Sequence, residues 1–187
     1  MGQGAPDGIQ IRPIGAADLA AYKALRLEAL RAHPEAFGSD YAEQAAEPDS
    51  AWEGRIRASL EGEASRILVA ADSDAGARAG ADAPRELAGM VAAFRDGGVK
   101  TRHSAILVGV YVAPRWRGRR LADAIVREAV AWCAAAGVRF VRLAVETNNV
   151  PAVRCYHRCG FQICGVQPEV IRIGDTYHDE FHMWRRV

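Results

Sequence analysis

Four arginines fall within six residues, Arg115-Trp116-Arg117-Gly118-Arg119-Arg120. Ahead of them Ala105 to Val112 is strongly apolar; behind them, from Leu121 on, apolar residues recur at helical spacing. A strand, a loop and a helix start in that order build an anion pocket. The first helical N–H groups have no intrahelical acceptor, and the helix dipole adds roughly half a positive charge there. Gly118 lets the backbone approach a phosphate closely, and arginine forks strengthen the positive field. The same run also reads as a solvated basic loop, or as an RNA-contacting patch. Local spacing leaves all three open and specifies no particular phosphate compound.

The other chemistry-bearing types are less organised. The four cysteines, Cys133, Cys155, Cys159 and Cys164, form no Cys-x-x-Cys pair. Cys155 and Cys159 share a helix face while Cys164 lies in a strand, which is poor metal spacing, so no metal is expected. With no secretion signal in Met1 to Gly8, they read as reduced thiols of a cytoplasmic protein. The net charge is +1, from 24 basic and 23 acidic side chains. That balance gives no global case for a nucleic-acid or anionic-membrane partner. Only Lys23 and Lys100 are lysines; every other basic side chain is arginine. No run of about 20 apolar residues is present to span a membrane.

A length of 187 residues suits one domain. Residues 1–8 read as a flexible leader and residues 9–187 as a single domain. Ile9, Ile11 and Ile14 mark a first strand, and Asp18 to Arg31 a helix stopped by His33-Pro34. A loop with Phe37 and Tyr41 follows. Ser50-x-x-Glu53 predicts a capping box opening a helix that carries Trp52, Ile56 and Leu60. Ile67–Ala71 and Leu87–Phe94 are strands, joined by a mobile Ala/Gly/Asp-rich hairpin loop. Gly109 inside the Ala105–Val112 strand predicts a bulge or a close backbone approach. Gly118 to Ala136 is a long helix with Leu121, Ile125, Ala129 and Trp132 on one stripe, stopped by Gly137. After a buried strand, Val138–Val145, Asn148 or Asn149 caps a short helix with Pro151 in its first turn, ending at Gly160. Phe161–Val166 and Thr176–Arg185 pair across Gly174-Asp175. The order predicts a mixed α/β (α+β) sheet flanked by about four helices.

Several of these motifs together resemble the GNAT superfamily of acetyl-CoA-dependent N-acetyltransferases, over about residues 9–187. The Arg/Gln-x-x-Gly-x-Gly/Ala hallmark matches Arg115 and Gly118, with Arg120 where the family usually has Gly or Ala. Asn149, Ala152, Tyr156, Gly160 and Phe161 follow the family's Asn-x-x-Ala-x-x-x-Tyr-x-x-x-Gly-Phe pattern. The terminal strand with Tyr177, Asp179, Glu180 and Met183 is similar too, as is Arg26 to Tyr41 to one branch of the family. The resemblance implies a twisted, mostly antiparallel mixed sheet and direct attack of a primary amine on bound acetyl-CoA, without metal.

It also implies residue roles. Main-chain groups of Val110, Tyr111 and Val112 bind the pantetheine arm, as an added strand would. The N–H groups from Arg115 through Arg117, Gly118, Arg119 and Arg120 to Leu121 hold the pyrophosphate. Arg120 either crowds the pyrophosphate or points outward and grips it. Arg158 meets the ribose 3′-phosphate or faces solvent. Tyr156 is the candidate acid for the departing thiolate; by spacing alone it reads as a half-buried core tyrosine. Asn149 contacts the pantetheine region or an ordered water, caps its helix, or does both. Phe37 and Tyr41 border the acceptor site or cover the core. The base is open among His103, Glu146, His178, Asp179, Glu180 and water, because Ala144 and Ser104 stand where some relatives place an acid or histidine. The competing expectation is a non-catalytic acyl-CoA-binding module, and the edge of the terminal strand admits a homodimer.

Overall fold

The computed structural model describes residues 5–72 and 86–187. The expected hairpin loop between the second and third strands therefore lies outside the described residues, as does the first half of the leader. Seven strands form one sheet: β1 (Ile9–Pro13), β2 (Ser65–Asp72), β3 (Leu87–Arg95), β4 (Ser104–Val112), β5 (Phe140–Glu146), β6 (Gln162–Ile173) and β7 (Thr176–Arg186), in the order β1-β2-β3-β4-β5-β7-β6. Only β4 and β5 run parallel; the other pairs are antiparallel. The helices are α1 (Leu19–Ala32), α2 (Tyr41–Ala45), α3 (Asp49–Glu61), α4 (Leu121–Ala135) and α5 (Val150–Arg158). Among the described residues, none is long and apolar enough to cross a membrane.

Both sheet faces are covered, which is how a mixed sheet removes two apolar faces from water. Leu121, Ile125, Ala129 and Cys133 of α4 pack on one face with Cys155 and Tyr156 of α5. Tyr22, Leu25 and Ala29 of α1 and Trp52 and Ile56 of α3 pack on the other.

Three local expectations need correction. Ser50 does not cap α3: the helix begins at Asp49 with Pro48 as its N-cap and no side-chain cap bond. Proline's fixed φ and missing N–H suit that boundary without a capping box. Leu60 is 43% exposed. The inner stripe ends instead on Ser59, whose hydroxyl accepts the Ile67 N–H at 2.7 Å, a polar contact that apolar periodicity does not register. The segment read as a loop contains α2, capped by Asp40, whose carboxylate accepts the Ala42 and Glu43 N–H groups. Strand β6 also runs to Ile173, past Pro168, because an edge strand tolerates a residue with no N–H to donate.

Two features of β4 matter for function. It pairs with β5 at only three positions, Ser104 with Phe140, Ala105 with Val141 and Ile106 with Arg142; past them β4 has no β5 partner. Against β3, Met90 faces Tyr111 and Ala92 faces Val108, so Val91 opposes both Gly109 and Val110. This is the expected bulge, with Gly109 at φ +65°. Without it Leu107 and Tyr111 would share a face; instead they enter opposite cores.

Candidate active site

A cavity of about 510 Å³ lies where β4 and β5 part. Ile106, Leu107, Val108 and Gly109 of β4 line it, facing Ala144 of β5 and Glu180 of β7. Arg26 of α1 and Phe37 of the following loop line it too. Phe37 lies under the Arg26 guanidinium, 4.9 Å from ring centre to carbon. Tyr41 is elsewhere: it stacks on Arg31 at 4.4 Å, its hydroxyl meets Arg31, and it is not part of the cavity wall. The structure thus separates two aromatics that sequence reading placed together.

At the other end of β4 the chain passes Pro114–Trp116 and enters α4. Arg120 is its N-cap, in the left-handed region at φ 59°, and donates no side-chain cap. The first α4 N–H groups therefore have no capping side chain. Gly118, at φ +79°, has open space where a Cβ would stand. An uncapped helix start beside a glycine with free space fits a diphosphate. The arginines around it are engaged within the chain. Arg115 meets Glu86 and lies over Trp116; Arg119 lies over the same ring. Arg117 donates from Nε to the Val112 carbonyl at 3.0 Å and approaches His33 at 3.2 Å. Of the strand groups expected to meet pantetheine, the Val112 carbonyl thus already has a partner. Tyr111 points into the opposite core and donates its hydroxyl to Glu28 at 2.9 Å. Burial first and that carboxylate second push its phenol up to about 12.

Asp123, 2% exposed in the first turn of α4, gathers the remaining charge. Arg158 grips it through Nε and Nη2, both at 2.7 Å, and Arg120 lies 3.6 Å away. The Arg158 hydrogen bond holds the Asp123 carboxyl below the usual carboxylate range. Arg158 therefore ties α5 to α4 at the cradle, a role for which sequence reading had no partner to propose. Arg120 points outward, 58% exposed.

Tyr156 is buried on α5, its ring 6.1 Å from Phe161, and its hydroxyl makes no hydrogen bond among the described residues. Burial holds its phenol above the ordinary value. Asn149 caps α5 by accepting the Ala152 N–H at 3.2 Å. The candidate bases separate sharply. His103 sits in the turn before β4, its carbonyl accepting the Arg139 N–H, in a different hollow from the main cavity. Both oxygens of Glu146 accept from Asn148, and His178 is 3.6 Å off. Asp179 accepts the Glu169 N–H. Glu180 alone of these lines the main cavity. Its carboxyl is raised, by burial first and then by Glu146, with His182 opposing. Its position was hidden from sequence reading because it depends on strand register: Glu180 pairs with Glu146 across β5 and β7, two residues along from Ala144.

The model of the acetyltransferase (GNAT) family matches residues 22–161. The chain belongs to that family. An L-amino acid N-acetyltransferase from Escherichia coli (strain K12) is 32% identical over 78 residues, covering 41% of this chain and 48% of the relative. The chain thus spans about half the length of that curated relative. Two solved GNAT-like folds match over almost the whole chain. An acetyltransferase of the GNAT family from Streptococcus pneumoniae superposes with TM-score 0.79 at 22% identity, covering 96% of this chain and 99% of that one. The structure of yncA from Salmonella typhimurium with its cofactor acetyl-CoA has TM-score 0.79 at 18% identity, covering 96% and 94%. The expected fold is therefore found.

Residue 120 adopts positive φ, a conformation that favours Gly over any residue with a Cβ. Arg120→Gly is expected to stabilise the protein by up to about 1 kcal/mol, the left-handed penalty outweighing a surface ion pair. Urea denaturation reads this; a loss of stability would show that the Asp123 contact dominates.

Proposed function

We propose that the protein transfers the acetyl group of acetyl-CoA directly to a primary amine. The observation that carries this reading is the early parting of β4 from β5. It leaves one strand bulged at Gly109 beside a cavity and leading at its far end to an uncapped helix start. A long substrate with a diphosphate at one end and a thioester at the other suits that span. The N–H groups from Arg115 to Leu121 hold the diphosphate, and the β4 main chain from Val110 to Val112 meets the pantetheine. Near the bulge a strand N–H polarises the thioester carbonyl.

The amine enters the cavity past Phe37. Its nitrogen bonds to the acetyl carbon, the carbon–sulfur bond breaks, and coenzyme A leaves as thiolate. An ammonium group gives its first proton to Glu180 before it attacks; Tyr156 donates its proton to the departing sulfur, and the second proton that the nitrogen sheds as the amide forms restores the phenol. Most of the rate comes from positioning the two substrates together. The four free cysteines suit a reducing cytoplasm. The terminal strand β7 has no free edge, since it pairs with β5 on one side and β6 on the other; two copies would instead associate through the edge strand β6, with Val166 and Val170 exposed.

Calorimetric titration with acetyl-CoA tests the reading. Saturable binding is expected, together with free-thiol release when an amine acceptor is added. No binding at millimolar acetyl-CoA would overturn it.

A further inference from the structure

Arg26 carries a charge that the protein leaves unanswered. Its Nε donates to Gln44 at 3.1 Å and its Nη2 to Ser39 at 3.2 Å, both neutral acceptors. Its Nη1 is buried and has no acceptor among the described residues. Among the described residues no carboxylate pairs with it, and the nearby cation Arg55, itself paired with Glu47, repels it. A half-buried cation with one buried donor left unmade is costly, which calls for an explanation at this position. Gln44, Ser39 and the Phe37 ring fix the guanidinium in place, so the unmet donors have a set direction. Nη1 lies 3.5 Å from where a Cβ on Gly109 would stand, at the bulge itself.

We infer that Arg26 binds a carboxylate on the acceptor, and that the acceptor is a free α-amino acid with an apolar side chain. The inference rests on the acetyl-transfer reading for its chemistry, though not for its binding test. One carbon separates the carboxylate of an α-amino acid from its nitrogen. A carboxylate at Arg26 therefore keeps that nitrogen beside Gly109, where the thioester carbonyl is expected. Glu180, on another wall of the same cavity, supplies the negative charge that an ammonium group needs. The cavity thus answers both charges of a zwitterion. The rest of its wall includes Tyr22, Phe37, Trp52, Met90 and Phe94, which suits an apolar side chain. A polyamine, or the N-terminus of a protein, lacks the nearby carboxylate and would leave Arg26 unpaired.

The test is calorimetric titration of the full chain, saturated with coenzyme A, with L-phenylalanine, L-leucine and L-methionine and with their amides. At least one free amino acid is expected to bind about 30-fold or more tighter than its amide. Arg26→Gln is expected to erase that difference and leave the acetyl-CoA Kd within about twofold, since Arg26 does not line the diphosphate cradle. In turnover the Arg26→Gln loss falls on KM for the amino acid, with the amide little changed. Equal binding of acid and amide, or no binding of any of the three amino acids, overturns the inference. So does an equal loss for acids and amides in Arg26→Gln, which would assign Arg26 to the thioester. The acid-against-amide comparison needs no variant. Because it also needs no turnover, a protein that binds amino acids but releases no thiol would sink the transferase reading and leave this one standing.

Discussion

Glu180→Gln is expected to lower kcat by roughly 10²- to 10³-fold, the loss typical of removing a positioned general base. Glutamine keeps the size of the side chain, but cannot take a proton from the incoming ammonium group. The expectation rests on placement. Of the carboxylates and histidines weighed as bases, Glu180 is the one on the cavity wall, beside Ala144. The others are held by their own neighbours or lie apart. Burial and the adjacent Glu146 raise the Glu180 carboxyl, and only His182 pulls it back. The sign follows from the chemistry: a base must be deprotonated to act, so a raised pKa moves the acid limb of the kcat/KM profile upward. In the wild type that limb is expected above the ordinary carboxylate range, and in Glu180→Gln it is expected to disappear. A variant with unchanged kcat and an unchanged acid limb would hand the proton to water.

The difference between what sequence conveyed and what it concealed follows chain separation. The β4–loop–α4 unit was legible because all its signals are local: an apolar run, a glycine that must bulge, an arginine-rich loop and a helical stripe. The Asn149 cap was legible for the same reason, since its acceptor contact lies three residues on, at Ala152. Glu180 was one of five protein candidates for the base, because choosing it requires knowing that β7 lies beside β5 in a given register. Arg26 opens the run that resembles one branch of the family, but its side chain carried no reading of its own; its Nη1, without an acceptor among the described residues, appears only when α1 packs over a bulge more than 80 residues later. Arg158 was read as a phosphate ligand or a solvated side chain, because its partner Asp123 is a helix away. Phe37 and Tyr41 show the limit from the other side. They are close in sequence, yet the small helix α2 begins at Tyr41 and carries it to Arg31, off the cavity wall.

Tyr156→Phe separates catalysis from packing. The hydroxyl makes no hydrogen bond among the described residues, while the ring fills the core between α5 and Phe161. Removing only the oxygen therefore leaves no partner unsatisfied, and the thermal midpoint is expected to move by no more than about 2 °C. Turnover is a different matter. A thiolate leaving in an apolar setting needs a donor, and burial keeps this phenol protonated throughout the neutral range. Loss of that donor is expected to lower kcat by about 10²-fold, with the acetyl-CoA Kd unchanged within about twofold. A purely structural tyrosine gives the opposite pattern, unchanged kcat at any midpoint, and a steady-state assay beside a thermal melt tells the two apart. Because the roles proposed for Tyr156 and Glu180 fall on different atoms, sulfur and nitrogen, their pH signatures are expected to differ too. Tyr156→Phe is expected to keep the acid limb that Glu180→Gln removes. If the limb vanished in both variants, the two groups would share one proton path, and the separate assignment of acid and base would fail.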